Sequence, residues 1–115
     1  MTCDYGYYNY LLIDIDIDYN DFKQYFLDEW KELLEYVRKK YMLDIVYANM
    51  VKSKNGNTHI IIKLSDCIRQ EKILLLEFLL GDDRKRVAFK LMRLKELGDI
   101  VDFFYTSKNK PEKII

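Results

Sequence analysis

Residues 10–18, YLLIDIDID, alternate strictly. Leu11, Ile13, Ile15 and Ile17 share one parity; Asp14, Asp16 and Asp18 share the other. A period of two sends successive side chains to opposite faces, so this segment predicts a half-buried strand with one apolar and one acidic face. The period then lengthens. After Asn20, a good N-cap, DFKQYFLDEWKELLEYVRKKY places Phe22, Phe26, Trp30, Leu33, Leu34, Val37 and Tyr41 within one helical face. Lys39 and Lys40 near its end suit the helix dipole, and one long helix is expected.

Residues 44–52 read as a second strand, and 58–64, THIIIKL, as a third. The SKNGN between them carries Asn-Gly, a strong turn signal, which makes these strands an antiparallel hairpin. Ser65 or Asp66 caps a second helix, CIRQEKILLLEFLL (67–80), that ends at Gly81. A third helix runs from Asp82 or Asp83 to Gly98, and 99–106 supply the last strand. With the last two helices taken as one layer, the order is the βαββαβ plan. The fold class is therefore α+β: a ferredoxin-like or RRM-like sandwich, a four-stranded antiparallel sheet with helices on one face.

Composition narrows the setting. The 115 residues fit a single domain, 1–115, with a core over about 8–106 and a loosely held polar tail from 107 to 115. Apolar runs such as Ile73–Leu76 fall far short of the roughly 18 residues of a membrane span. No basic stretch followed by an apolar one marks a secretory signal. The expected compartment is therefore the cytoplasm, the host's if the source is viral. Cys3 and Cys67 permit one bridge but no disulfide framework; in a reducing cytoplasm they read as one free terminal thiol and one small buried hydrophobe. Few glutamines and many Ile, Lys and Tyr hint at an AT-rich or thermophilic source.

The net charge is zero, but it is unevenly spread. Residues 1–35 carry nine acids and two bases, while Arg84–Lys95 hold six bases and no acid. Within that stretch Arg86, Lys90 and Arg93 fall at i, i+4 and i+7. Such a stripe can follow a phosphate backbone, or it can be ordinary solvated surface. The second helix, 67–80, has no wide polar face, which predicts burial on both sides and hence a homodimer. Tyr5, Tyr7, Tyr8 and Tyr10 can stack on bases, or anchor a terminal segment.

On the acidic face of the first strand, Asp14 and Asp16 stand about 7 Å apart. Two carboxylates at that spacing suit a hard cation, Mg or Mn. The plain alternative is the polar patterning of a wet face. Parity on the third strand puts Thr58, Ile60, Ile62 and Leu64 inward, and His59, Ile61 and Lys63 on the face of the aspartates. An imidazole and an ammonium there can bind phosphate.

The pattern LLIDIDID, a βαββ unit and then SKNGNTHIIIKL resemble the palm of archaeo-eukaryotic primases. GDDRKRVAFKLMRL resembles a stretch in small primase-like proteins of archaeal plasmids and viruses. The resemblance spans roughly residues 10–106. It implies that Asp14 and Asp16 bind the metals, and that His59, in Asn57-Thr58-His59, contacts the phosphates of a nucleotide. The third acid of active members would fall near Lys90, where the charge is reversed; Asp99 and Asp102 are the nearby acids that could replace it. The implied function is a primase-like palm of a mobile element or virus, non-catalytic or minimal, that binds nucleotide or nucleic acid with a divalent metal. The residues leave a second reading open, a non-enzymatic ferredoxin-like homodimer.

Overall fold

The computed structural model describes residues 3–101 and 109–115. Strand β1 (Tyr7–Asp18) leads through a short helix α1 (Tyr19–Asp21) and a π-helical turn (Phe22–Phe26) into α2 (Leu27–Lys40). Then follow β2 (Ile45–Lys52), β3 (Asn57–Arg69), α3 (Gln70–Leu79), α4 (Arg84–Leu97) and a two-residue β4 (Glu112–Lys113). The sheet is four-stranded and antiparallel in the order β1-β3-β2-β4, so β3 lies between the two strands that α2 connects. This is an α+β fold of the ferredoxin-like kind.

The alternating strands deliver what their parity predicts. Leu11, Ile13 and Ile15 of β1, Ala48 and Met50 of β2, and Ile60, Ile62 and Leu64 of β3 are buried in one core. Phe22, Trp30, Leu34 and Val37 cover it from the first helical run, and Ile73, Leu74, Leu76 and Leu80 from the second. The hairpin turns through Gly56, at φ 92°, where a side chain would be strained. Ser53 accepts the Asn57 N–H on its hydroxyl and closes the loop.

Four expectations change. First, the apolar face of the first helical run is not continuous: Phe26 is 47% exposed and Leu33 38%. A π turn spans five residues instead of four, so Leu27 takes the place below Phe22 and Phe26 swings outward. Trp30, Leu34 and Val37 then follow inward at ordinary helical spacing. Second, β3 runs on to Arg69, and the second helix begins at Gln70 instead of near Cys67. The reason is that β1 starts early: Tyr7 and Tyr8 pair with Arg69 and Ile68. Tyr7, Tyr8 and Tyr10 are thus sheet residues.

Third, the cysteines are not free thiols. Cys3 and Cys67 form a disulfide with Cα atoms 5.6 Å apart, across 64 residues of chain. The extra length of β3 is what carries Cys67 to the N-terminal segment. Fourth, the end of the chain joins the sheet. Glu112 and Lys113 pair with β2, and Ile114 donates to the Ala48 carbonyl at 2.7 Å. The expected last strand, 99–106, falls from residue 102 onward outside the described residues; Asp99, Ile100 and Val101 are not in a strand.

The tail is held at Glu112 by chemistry as well as by pairing. Lys23 bridges Glu112 at 2.8 Å, and the same carboxylate acts on the buried Tyr19 phenol. Burial first, then that anion, pushes the Tyr19 phenol up to about 12. Raised in the folded state, this group favours folding fully below its unfolded value near 10 and loses that contribution as pH climbs from about 10 to 12. Alkaline melts should therefore show a loss of stability in that window that Tyr19→Phe flattens. A variant with the wild-type slope would disprove the contact.

Candidate metal and nucleotide site

The outer face of the sheet is built in rows by the strand register. Asp14 lies directly opposite His59, Leu12 opposite Ile61, and Tyr10 opposite Lys63; on the other side of β3, Val51, Asn49 and Tyr47 complete the three rows. Parity therefore brings Asp14 and His59 together as expected. His59 Nε2 stands 3.5 Å from Asp14 Oδ1, with both side chains half-buried. That same carboxylate oxygen is buried and lacks a hydrogen-bond partner.

Asp16 is placed differently from Asp14. After Ile15 pairs with Thr58, the ladder skips to Asp18 opposite Asn57, so Asp16 and Ile17 bulge from the strand pairing. Asp16 is exposed and accepts from the Asn57 amide at 3.1 Å. Asp18 is taken up by the fold itself, since its carboxylate caps α1 and accepts from the N–H groups of Asn20 and Asp21. Among the described residues, no three His, Cys, Asp or Glu side chains gather as a metal ligand set. Mg²⁺, however, is commonly held by one or two carboxylates together with substrate phosphates. Asp14, whose Oδ1 faces His59 without a hydrogen bond, is the carboxylate placed for that mode, and Asp16 lies two residues on, outside the ladder.

Two rows away, Lys63 Nζ donates to the Tyr10 hydroxyl at 3.0 Å and sits 4.2 Å from the centre of its ring. The Lys63 hydrogen bond, then that from Tyr47, lowers the Tyr10 phenol below its usual value. Burial, then the contact with Tyr10, raises that of Tyr47. The result is a polar aromatic cluster with a cation at its centre, on the face that also carries Asp14 and His59.

The basic stripe on α4 does not form. Arg86, Lys90 and Arg93 do not share a solvent-facing side that could follow phosphates, because Lys90 is only 2% exposed. Its ammonium lies 2.9 Å from Glu77 Oε1 and 2.9 Å from Asp82 Oδ2, both fully buried carboxylates. Arg86 Nε lies 3.3 Å from Asp82, and Arg93 reaches the Ile100 carbonyl. The cause is the outer edge of β1. The Leu12 N–H donates to Glu77 Oε2 and the Asp14 N–H to Asp82 Oδ1, each at 2.8 Å. Asp83 N–H returns to the Asp14 carbonyl, and Lys90 reaches the Leu12 carbonyl. Two carboxylates, an ammonium and one backbone amide thus stand in for a neighbouring strand. Burial pushes the Asp82 carboxyl up, opposed by Lys90, the Asp14 N–H and Arg86.

Sequence reasoning missed Glu77 and Asp82. The available signal was a lone glutamate inside ILLLEFLL, an apolar run with no solvent face to offer it.

Comparison with known proteins adds one relative. Over 110 aligned positions the chain is 32% identical to Uncharacterized protein 30 of Sulfolobus islandicus filamentous virus (isolate Iceland/Hveragerdi). The chain is similar to a protein of an archaeal virus. The match covers 85% of this chain and 37% of the viral protein, so the chain spans little more than a third of its relative's length. No family model matches the chain, and no solved structure does. No helix among the described residues is long and apolar enough to cross a membrane.

Proposed function

We propose that the chain is a primase-like palm of an archaeal virus or related element that binds a nucleotide or single-stranded nucleic acid without turning it over. The ligand lies across the outer sheet face. His59 and Lys63 contact its phosphates, and Asp14 and Asp16 hold Mg²⁺ or Mn²⁺ beside them. The supporting observation is the cross-strand pair Asp14–His59, with a buried carboxylate oxygen that lacks a hydrogen-bond partner.

Position along the strand defines the ligand class. His59 and Lys63 are four residues apart on β3, about 14 Å at the usual rise. A lone phosphate cannot touch both, whereas a nucleotide or a short strand can. Tyr10 and Tyr47 flank Lys63 and offer rings for a base. The absence of turnover rests on Lys90: at the place where the resemblance looks for a third acid, an ammonium is committed to Glu77 and Asp82. The setting is the host cytoplasm. The Cys3–Cys67 bridge accords with that compartment where intracellular disulfides persist, as in hyperthermophilic archaea.

Thermal melts with Mn²⁺ and a nucleoside triphosphate test the reading. At a ligand concentration of about a hundredfold Kd, linkage adds about 2.7 kcal/mol to stability. Asp14→Ala and His59→Ala should each abolish most of the shift. If the wild-type melting curve is unmoved by metal, nucleotide or both together, the proposal fails.

A further inference from the structure

Two further surfaces of the molecule carry exposed apolar side chains. The first is a groove of about 430 Å³ between the first helical run, the end of β1 and the end of α3. Phe26, Trp30, Leu33 and Leu79 give it apolar walls, and its charged lining residues, Asp16 and Glu29, are both acidic. The π turn is what opens it, by turning Phe26 outward from the core. Most of its lining comes from residues 15–33, within the part of the chain with nine acids to two bases.

The second surface is the solvent side of α4. Lys90 pins this helix to the edge of β1, so its opposite side faces away from the molecule. Phe89, Leu91 and Met92 there are 56%, 44% and 54% exposed. Arg84, Lys85 and Lys95 are exposed around them, with Glu96 as the nearby acid. Lys85, Phe89 and Met92 fall at i, i+4 and i+7, the spacing by which a helix presents one line of anchors to a groove. An apolar ridge with basic flanks thus sits on the same chain as an apolar groove with acidic walls.

We infer that α4 of one copy docks in the Phe26–Leu33 groove of a second copy of this chain, with Lys85 and Arg84 set against Glu29 and Asp16. Groove and ridge are different patches, so a single contact is heterologous, whereas two reciprocal contacts make an isologous pair. The assembly either closes as that pair or continues head to tail. Charge complementarity between the two patches selects a second copy over an unrelated partner. Asp16 is shared with the proposed metal site, so the test uses Glu29 and Phe89, and its outcome does not depend on a ligand on the sheet. The contact also differs from a homodimer through α3, which would use Leu75 and Phe78 of that helix.

Sedimentation velocity from about 1 to about 100 μM spans the micromolar range of weak self-association. Wild type should sediment as an assembly that grows with concentration and weakens with salt. Glu29→Lys, which spoils the groove, and Phe89→Asp, which spoils the ridge, should each be monomeric. Both positions are exposed, and circular dichroism checks that each variant is folded. Mixed in equal amounts, the two variants should recover a dimer, because one keeps an intact ridge and the other an intact groove. A monomeric wild type overturns the inference. So does a variant that assembles normally, as it would if α3 made the contact, or a mixture that fails to associate.

Discussion

Lys90→Met should cost about 3–5 kcal/mol, the penalty for leaving buried carboxylates without their cation. Against a total stability of about 5–15 kcal/mol for a domain, such a variant stands near the edge of unfolding. Glu77 and Asp82 are fully buried and share the Lys90 ammonium at 2.9 Å each. Buried ion pairs can often be exchanged for apolar side chains at little net cost. This one cannot, because its carboxylates also accept the N–H groups of Leu12 and Asp14. A fully apolar triple variant would leave those two donors buried and unpaired, at about 1–3 kcal/mol each. It should therefore fail to rescue Lys90→Met, whereas Glu77→Gln, which keeps an acceptor, should be milder in the Lys90→Met background than in wild type. Urea denaturation followed by circular dichroism measures all of these. Opening the β1 edge also bares strand hydrogen-bonding groups, so the Lys90 variant should aggregate on storage. A Lys90→Met protein as stable as wild type would show that the cation is surface charge after all.

Reducing the Cys3–Cys67 bridge should cost about 4 kcal/mol on the chain-entropy account, given its 64-residue span. For a domain of this length that is a fall in Tm of roughly 15 °C. The bridge holds a junction where three segments meet. Gln70 donates its backbone N–H to Gly6 and its side-chain amide to Gly98, and the Tyr5 hydroxyl donates to Gly98 at 3.1 Å. In the reduced protein the N-terminal segment should lose protection from hydrogen exchange first, followed by the start of α3. Melts with and without a thiol reductant, and of Cys3→Ser with Cys67→Ser, supply the measurement. A reduced protein that melts within a degree or two of the oxidised one would show that the crosslink contributes nothing.

Both effects arise where distant parts of the chain meet, and these are the places that periodicity does not describe. The Lys90 stripe is a fair example. At i, i+4 and i+7 a row of bases reads as solvent-facing, because charges rarely bury. The helix turned that row inward because the edge of β1 had no strand beside it among the described residues, and backbone donors need acceptors wherever water is excluded. The acidic face of β1 divides in the same way. Parity put Asp14 and His59 on one face, and the β1–β3 register then set them opposite each other. A bulge, invisible in the alternation of residues 14–18, parted Asp16 from that ladder, and the cap of α1 claimed Asp18.

Local pattern thus determined β1, β2, the first part of β3, the helical runs and the inward side of those strands, because the pleat and the helical turn impose their period on neighbouring residues alone. It carried the α+β class and the shared face of Asp14 and His59 with no further information. Tertiary structure decided what each polar group meets: Lys90 its two carboxylates, Cys3 its partner, Glu112 its place beside Lys23 and Tyr19. Those pairings follow from how sheet edges and chain ends are closed in space, between residues too far apart in the chain for any period to link them.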